Sequence, residues 1–254
     1  MNFTAFDSCT ETLAALRFQL DMGVDEAVGD LPERLGIAKA LPPAPPIPLP
    51  VPTPAASHAR VDLNSIETLE GLRNALAGLS GLSVKDTAMS LVFGEGALNP
   101  PVMLVGEAPG EEEDRTGRPF VGPAGQLLDK MLAAIGFARE EVYITNVLNW
   151  RPPGNRTPKP DEVATCLPYL MRHVELVKPK SLLLLGGPAA KALLGRDESV
   201  TKMRGQWWSY HSAGLEAEVP TLVTYHPAYL LRSPGQKKES WRDLRLLKKK
   251  ISSV

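Results

Sequence analysis

The sequence predicts an α/β fold, a three-layer α/β/α arrangement around a central four-stranded parallel sheet. Two observations carry that expectation. Four short apolar runs, at 102–106, 142–147, 181–186 and 221–225, have the length and aliphatic content of buried strands. Between and after them, residues 124–135, 160–177, 188–194 and a basic stretch at 239–251 space their apolar side chains as helices do. Strands that alternate with helices form a parallel sheet covered on both faces, because each crossover must return over one face.

The chain before the first strand divides by composition. Eight of the fourteen residues at 41–54 are proline, which removes backbone donors and favours an extended polyproline-type conformation. We therefore read 1–40 as an N-terminal helical extension, 41–60 as a linker and 61–254 as one domain. Within the extension, Leu13, Leu16, Leu20, Val24 and Val28 recur at roughly helical spacing. After the linker, 64–79 reads as a helix capped by Asn64 or Ser65.

A composition of 43% hydrophobic and 22% charged residues is that of an ordinary soluble protein, whereas 24 prolines place part of the chain outside a compact core. The N-terminus lacks a basic start followed by an apolar stretch, and no apolar run reaches the ~18 residues needed to span a bilayer. A cytoplasmic monomer is expected, its extension available to a protein partner. Two cysteines, Cys9 and Cys166, build neither a disulfide framework nor a four-cysteine site within one chain. The net charge of −1 conceals a gradient, since 226–254 carries eight Lys or Arg against Glu239 and Asp243. Such an end attracts polyanions, although a solvated helical face reads the same way.

Each apolar run is followed at once by polar, Gly or Pro chemistry: Gly106-Glu107-Ala108-Pro109-Gly110, then Asn146 and Arg151-Pro152-Pro153, then Gly186-Gly187-Pro188, then His226-Pro227. Ligands of open α/β sheets sit beyond the carboxyl ends of the strands. Glu107, Asn146 and His226 are therefore candidate site residues. Gly-Lys-Ser/Thr does not follow the first glycines, so the loop is no triphosphate cradle. The acids at 111–114 suit a hard cation with water, but solvent-facing Glu111, Glu112 and Asp114 is the favoured reading. Phe120 is either a core plug or a plate on which a base stacks. At 226–232, two leucines that look exposed, beside Arg232, suit a wedge entering a base stack with a cation on phosphate. Trp207 and Trp208 are assigned to core filling.

The segments GEAPGEEED, GRPFVGPAGQLLDKML, TNVLNWRPPGNRTP and HPAYLLR, in this order and spacing, closely resemble the family 4 uracil-DNA glycosylases. The resemblance runs from about 91 to 250 and implies the fold of that superfamily and a flipped-out uracil in the rim pocket. It implies that Gly106, Ala108, Pro109 and Gly110 line the base, that Phe120 stacks on it and that the Asn146 amide reads O4 and N3–H. It gives His226 the charge on the departing base, and Glu107 or Glu113 the attacking water, with Glu113 also crowding the methyl of thymine. Arg151, Tyr229, Leu230 or Leu231, and Arg232 are the implied DNA contacts.

The family's iron–sulfur cluster needs four cysteines, and the matching positions here are Leu79, Leu82, Trp150 and Cys166. Leucine and tryptophan do not ligate iron, so no cofactor is expected and apolar packing is expected to fill the space. Two other functions fit parts of the sequence: a non-catalytic uracil- or abasic-DNA binder, and a metal-dependent nuclease built on the acids at 111–114.

Overall fold

A computed structural model describes residues 62–252; the extension, the linker and Cys9 lie outside the described residues. Helix α1 (Leu69–Ala77) starts where Thr68 Oγ1 accepts the Gly71 N–H at 3.0 Å. The single helix expected over 64–79 is therefore two pieces, because Asp62 separately caps a 3-10 turn at Leu63–Ser65 by accepting the Asn64 N–H. Thr68, not Asn64 or Ser65, is the cap of α1, as suits a side chain that competes for backbone amides.

In chain order follow α2 (Ser83–Thr87), β1 (Glu95–Gly96), β2 (Met103–Gly106), α3 (Glu111–Thr116), α4 (Pro123–Ala134) and β3 (Tyr143–Asn146). Then come α5 (Pro160–Val177), β4 (Leu182–Leu185), α6 (Gly187–Leu194), α7 (Val200–Met203), β5 (Trp207–Tyr210), β6 (Val219–Thr224), α8 (Pro227–Arg232) and α9 (Lys237–Ile251). The sheet has six strands in the order β1-β3-β2-β4-β6-β5. Its four central strands are parallel and are the four runs expected from the sequence. The central four-stranded parallel sheet expected from the sequence is thus present, and it is extended at both edges, where β1 and β5 pair antiparallel with β3 and β6. Trp207 and Trp208 belong to that added edge strand.

Alternation along the strands sorts the core into two layers, as a period of two requires. Met103, Val105, Leu182 and Leu184 face one cluster with Leu72 and Leu76 of α1 and Cys166, Leu170 and Val174 of α5. Val102, Leu104, Leu183 and Leu185 face the other, with Leu128 and Leu132 of α4 and Leu244 and Leu247 of α9. Helices thus cover both faces of the sheet. The strand order reverses between β2 and β4, the kind of switch point at which open α/β sheets leave a crevice. Among the described residues, no helix is long and apolar enough to cross a membrane.

Candidate active site

At the carboxyl ends of β2, β3 and β6 lies a cleft of about 430 Å³. Its size suits a small planar ligand. Glu107, Phe120, Asn146 and His226 all line it, together with Ala108, Pro109, Gly110, Glu113, Tyr229 and Arg232. Gly106 pairs with Asn146 at the last register position of β2 and β3. The Leu148 N–H donates to the Glu107 carbonyl at 3.0 Å, so both strand ends open onto the cleft at one level.

Asn146 is 2% exposed, and its Oδ1 has no hydrogen-bond partner among the described residues. Buried polar atoms are nearly always paired, so an unpaired one in a cleft wall marks a place for a ligand donor. Phe120 is buried with a φ of +50°, an uncommon conformation for a bulky side chain. Its ring lies 5.5 Å from that of His226, with the planes tilted by 33°.

The acidic run is a helix, α3, which four consecutive acids can open because carboxylates favour the positive end of the helix dipole. Glu113 is buried and accepts three backbone N–H groups: Gly110 at 3.1 Å, Val121 at 2.9 Å and Gly122 at 2.8 Å. The solvent-facing reading of Asp114 is corrected, since it is 3% exposed and accepts the amides of Met89 and Ser90. Glu112 pairs with Arg115 on the surface. The four acids thus diverge, and among the described residues no three His, Cys, Asp or Glu side chains come together as a metal site. In contrast to Glu113, the Glu107 carboxylate engages no hydrogen bond among the described residues, and burial raises its pKa above the usual carboxylate value.

His226 is the N-cap of α8, where its Nδ1 accepts the Ala228 N–H at 3.1 Å. Burial, and next the charge of Arg232, lower its pKa to about 4, with Glu113 opposing. At neutral pH the ring is uncharged. With Nδ1 occupied as an acceptor, the remaining proton resides on Nε2, which is left as a donor.

The segment expected as a loop of two exposed leucines is helix α8, and Leu230 is corrected. It is 1% exposed and faces inward, whereas Leu231 one position on is 44% exposed. Arg151 does not line the cleft; it donates to Asn155 Oδ1 at 2.7 Å and faces Glu111 at 3.6 Å. Sequence reasoning left unassigned the Asn155, Arg156 and Thr157 wall. The quoted PPGNRTP segment contained that signal.

Leu82, Trp150 and Cys166 are buried in one apolar cluster, with Leu79 packed against it. Leucine and tryptophan offer iron no ligand atom, which leaves the Cys166 sulfur alone among apolar side chains. The residues at these four positions do not fit an iron–sulfur cluster.

The sequence model of the Uracil DNA glycosylase superfamily matches residues 93–245. The Type-4 uracil-DNA glycosylase of Pyrobaculum aerophilum is 46% identical over 157 residues, covering 60% of this chain and 79% of that protein. That of Thermotoga maritima is 46% identical over 145 residues, 57% and 73% of the two chains. That of Sulfurisphaera tokodaii is 39% identical over 180 residues, 68% and 80%. With a cleft built at the strand ends from the residues that carry this likeness, the chain belongs to the uracil-DNA glycosylase superfamily and, within it, to the type-4 family.

Proposed function

We propose that the chain hydrolyses the N-glycosidic bond of deoxyuridine in DNA, releasing uracil from a flipped-out nucleotide and leaving an abasic site. The observation that carries this reading is the Asn146 side chain, which lines the cleft and whose Oδ1 is left without a partner among the described residues. A buried amide is satisfied by a pyrimidine that offers an acceptor at position 4 and an N–H at position 3, so that Nδ2 donates to O4 and Oδ1 accepts N3–H. Cytosine presents the opposite pattern, a donor at position 4 and a bare N3. Thymine shares the edge of uracil but adds a methyl group. Glu113, fixed by three amides, cannot swing aside for it.

Breaking the bond leaves an oxocarbenium-like sugar and an anionic base. His226, uncharged and donating from Nε2, meets the negative charge that grows on uracil; one such preorganised donor accounts for about 10²–10³ in rate. Glu107 has no competing hydrogen bond among the described residues, and burial raises its pKa, which suits a general base. It holds the water that attacks C1′, while Glu113 shapes the loop that carries Phe120. Phe120 stacks on the face of the base. Leu231 enters the space the nucleotide leaves, and Arg232 holds phosphate. The reaction needs no iron–sulfur cluster, whose ligand positions are taken by an apolar plug.

The test is incubation of the protein with a uracil-containing oligonucleotide in chelator, followed by alkali. Strand scission at the uracil position supports the reading. Binding without scission points to a non-catalytic member of the family.

A further inference from the structure

We infer that Arg139, which lies outside the cleft, is a positioning residue that sets the stacking face of Phe120. The inference rests on the proposal that Phe120 stacks on the base. Phe120 occupies the left-handed region at φ +50°, which a bulky residue does not hold without support. Two side chains supply it from opposite sides. Glu113 Oε1 accepts the consecutive N–H groups of Val121 and Gly122. Arg139 donates to the consecutive carbonyls of Pro119, at 2.5 Å, and Phe120, at 3.0 Å. The peptide between Phe120 and Val121 is thus held at its oxygen by a cation and at its nitrogen by an anion.

Arg139 is itself fixed. It sits just before β3, 15% exposed, and pairs with Glu95 and Asp129 at 2.9 Å each. Glu95 also takes both Nε and Nη2 of Arg118, from the same loop as Phe120. Beneath the loop, a Cβ on Gly125 would lie 1.8 Å from the Phe120 carbonyl oxygen. The backbone that aims the ring is therefore held on both sides, and the guanidinium fork that bridges two carbonyls is the part a lysine point charge does not reproduce.

A double-mutant cycle on Arg139→Met and Phe120→Leu tests this, with single-turnover excision and inhibition by free uracil as readouts. Arg139→Met should slow excision about tenfold and weaken uracil inhibition in parallel, while binding to uracil-free duplex holds; in the Phe120→Leu background it should cost no more than about twofold. A full loss in both backgrounds overturns the inference, as does wild-type excision by Arg139→Met. Arg118→Met, which touches Glu95 but neither carbonyl, should excise normally; an equal loss there would assign the effect to Glu95 instead. If Arg139→Met does not fold, the same cycle is read with Arg139→Lys, which keeps the charge facing Glu95 and Asp129. Wild-type excision by Phe120→Leu alone sinks the stacking proposal itself, whereas a slow Phe120→Leu with additive Arg139 losses sinks only this inference.

Discussion

The Oδ1 of Asn146 lies 2.3 Å from where a Cβ on Gly106 would stand, and the Phe120 ring lies 2.5 Å from the same point. A Cβ tolerates neither distance to a non-bonded atom, so Gly106→Ala must displace the Asn146 amide, the ring, or both. A displacement of ~1 Å at a reacting centre costs about 10² in rate, and overpacking costs ~1–3 kcal/mol in stability. Single-turnover excision and a melting curve on Gly106→Ala check both. Near-normal excision would mean that Asn146 does not read the base from this position.

Under the proposed mechanism, the acid limb of excision should belong to Glu107. Its pKa is raised above 4.5 by burial, whereas His226 stays neutral down to about 4, so Glu107 is the first of the two to protonate. Glu107→Gln should be slow and lose that limb; His226→Ala should be slower by about 10²–10³ and keep it. Stability follows a separate rule. Between pH 6.5 and about 4 the unfolded chain binds a proton at His226 that the fold refuses, so stability falls as pH drops through that window. pH–rate profiles of both variants, with acid melts of the wild type, decide the assignment.

Neighbouring residues of α8 should separate cleanly. Leu230→Ala, in the core, should cost about 2–5 kcal/mol in stability. Leu231→Ala should leave the melting temperature nearly unchanged and slow excision from duplex more than from single strands. Arg232→Ala should weaken DNA binding and flatten its salt dependence by about one unit of slope. Equal effects of Leu231→Ala on both substrates would remove it as a wedge.

The purified protein should be colourless and hold no stoichiometric iron, because three of the four ligand positions carry Leu79, Leu82 and Trp150. Trp150→Ala should cost about 3–5 kcal/mol, as for any buried aromatic. Cys166→Ala should excise normally. A visible absorbance band with bound iron would overturn the plug.

The four parallel strands were legible because apolar runs of strand length, broken by helical spacing, leave one arrangement open. Their convergence puts Glu107, Asn146 and His226 on one rim. β1 was not legible, being two residues long with no period, and β5 was hidden because Trp207 and Trp208 signal burial without naming an element. α3 was missed since four acids carry no apolar period. α8 had its signal in Pro227, which is favoured at the first helical position, but the two leucines looked alike. Only the turn of a helix puts Leu230 inside and Leu231 outside. The buried role of Asp114 depends on amides 24 and 25 residues away, which no local pattern reveals.

His226 caps the same short helix that carries Leu231 and Arg232. In the proposed mechanism the donor for the leaving base, the wedge and the phosphate grip are therefore teeth on one gear. Whatever tilts α8 as it meets a duplex moves all three in step, so a backbone gripped out of register also withholds the donor. In that reading, alignment on the duplex and supply of the donor are a single event, carried by one short helix.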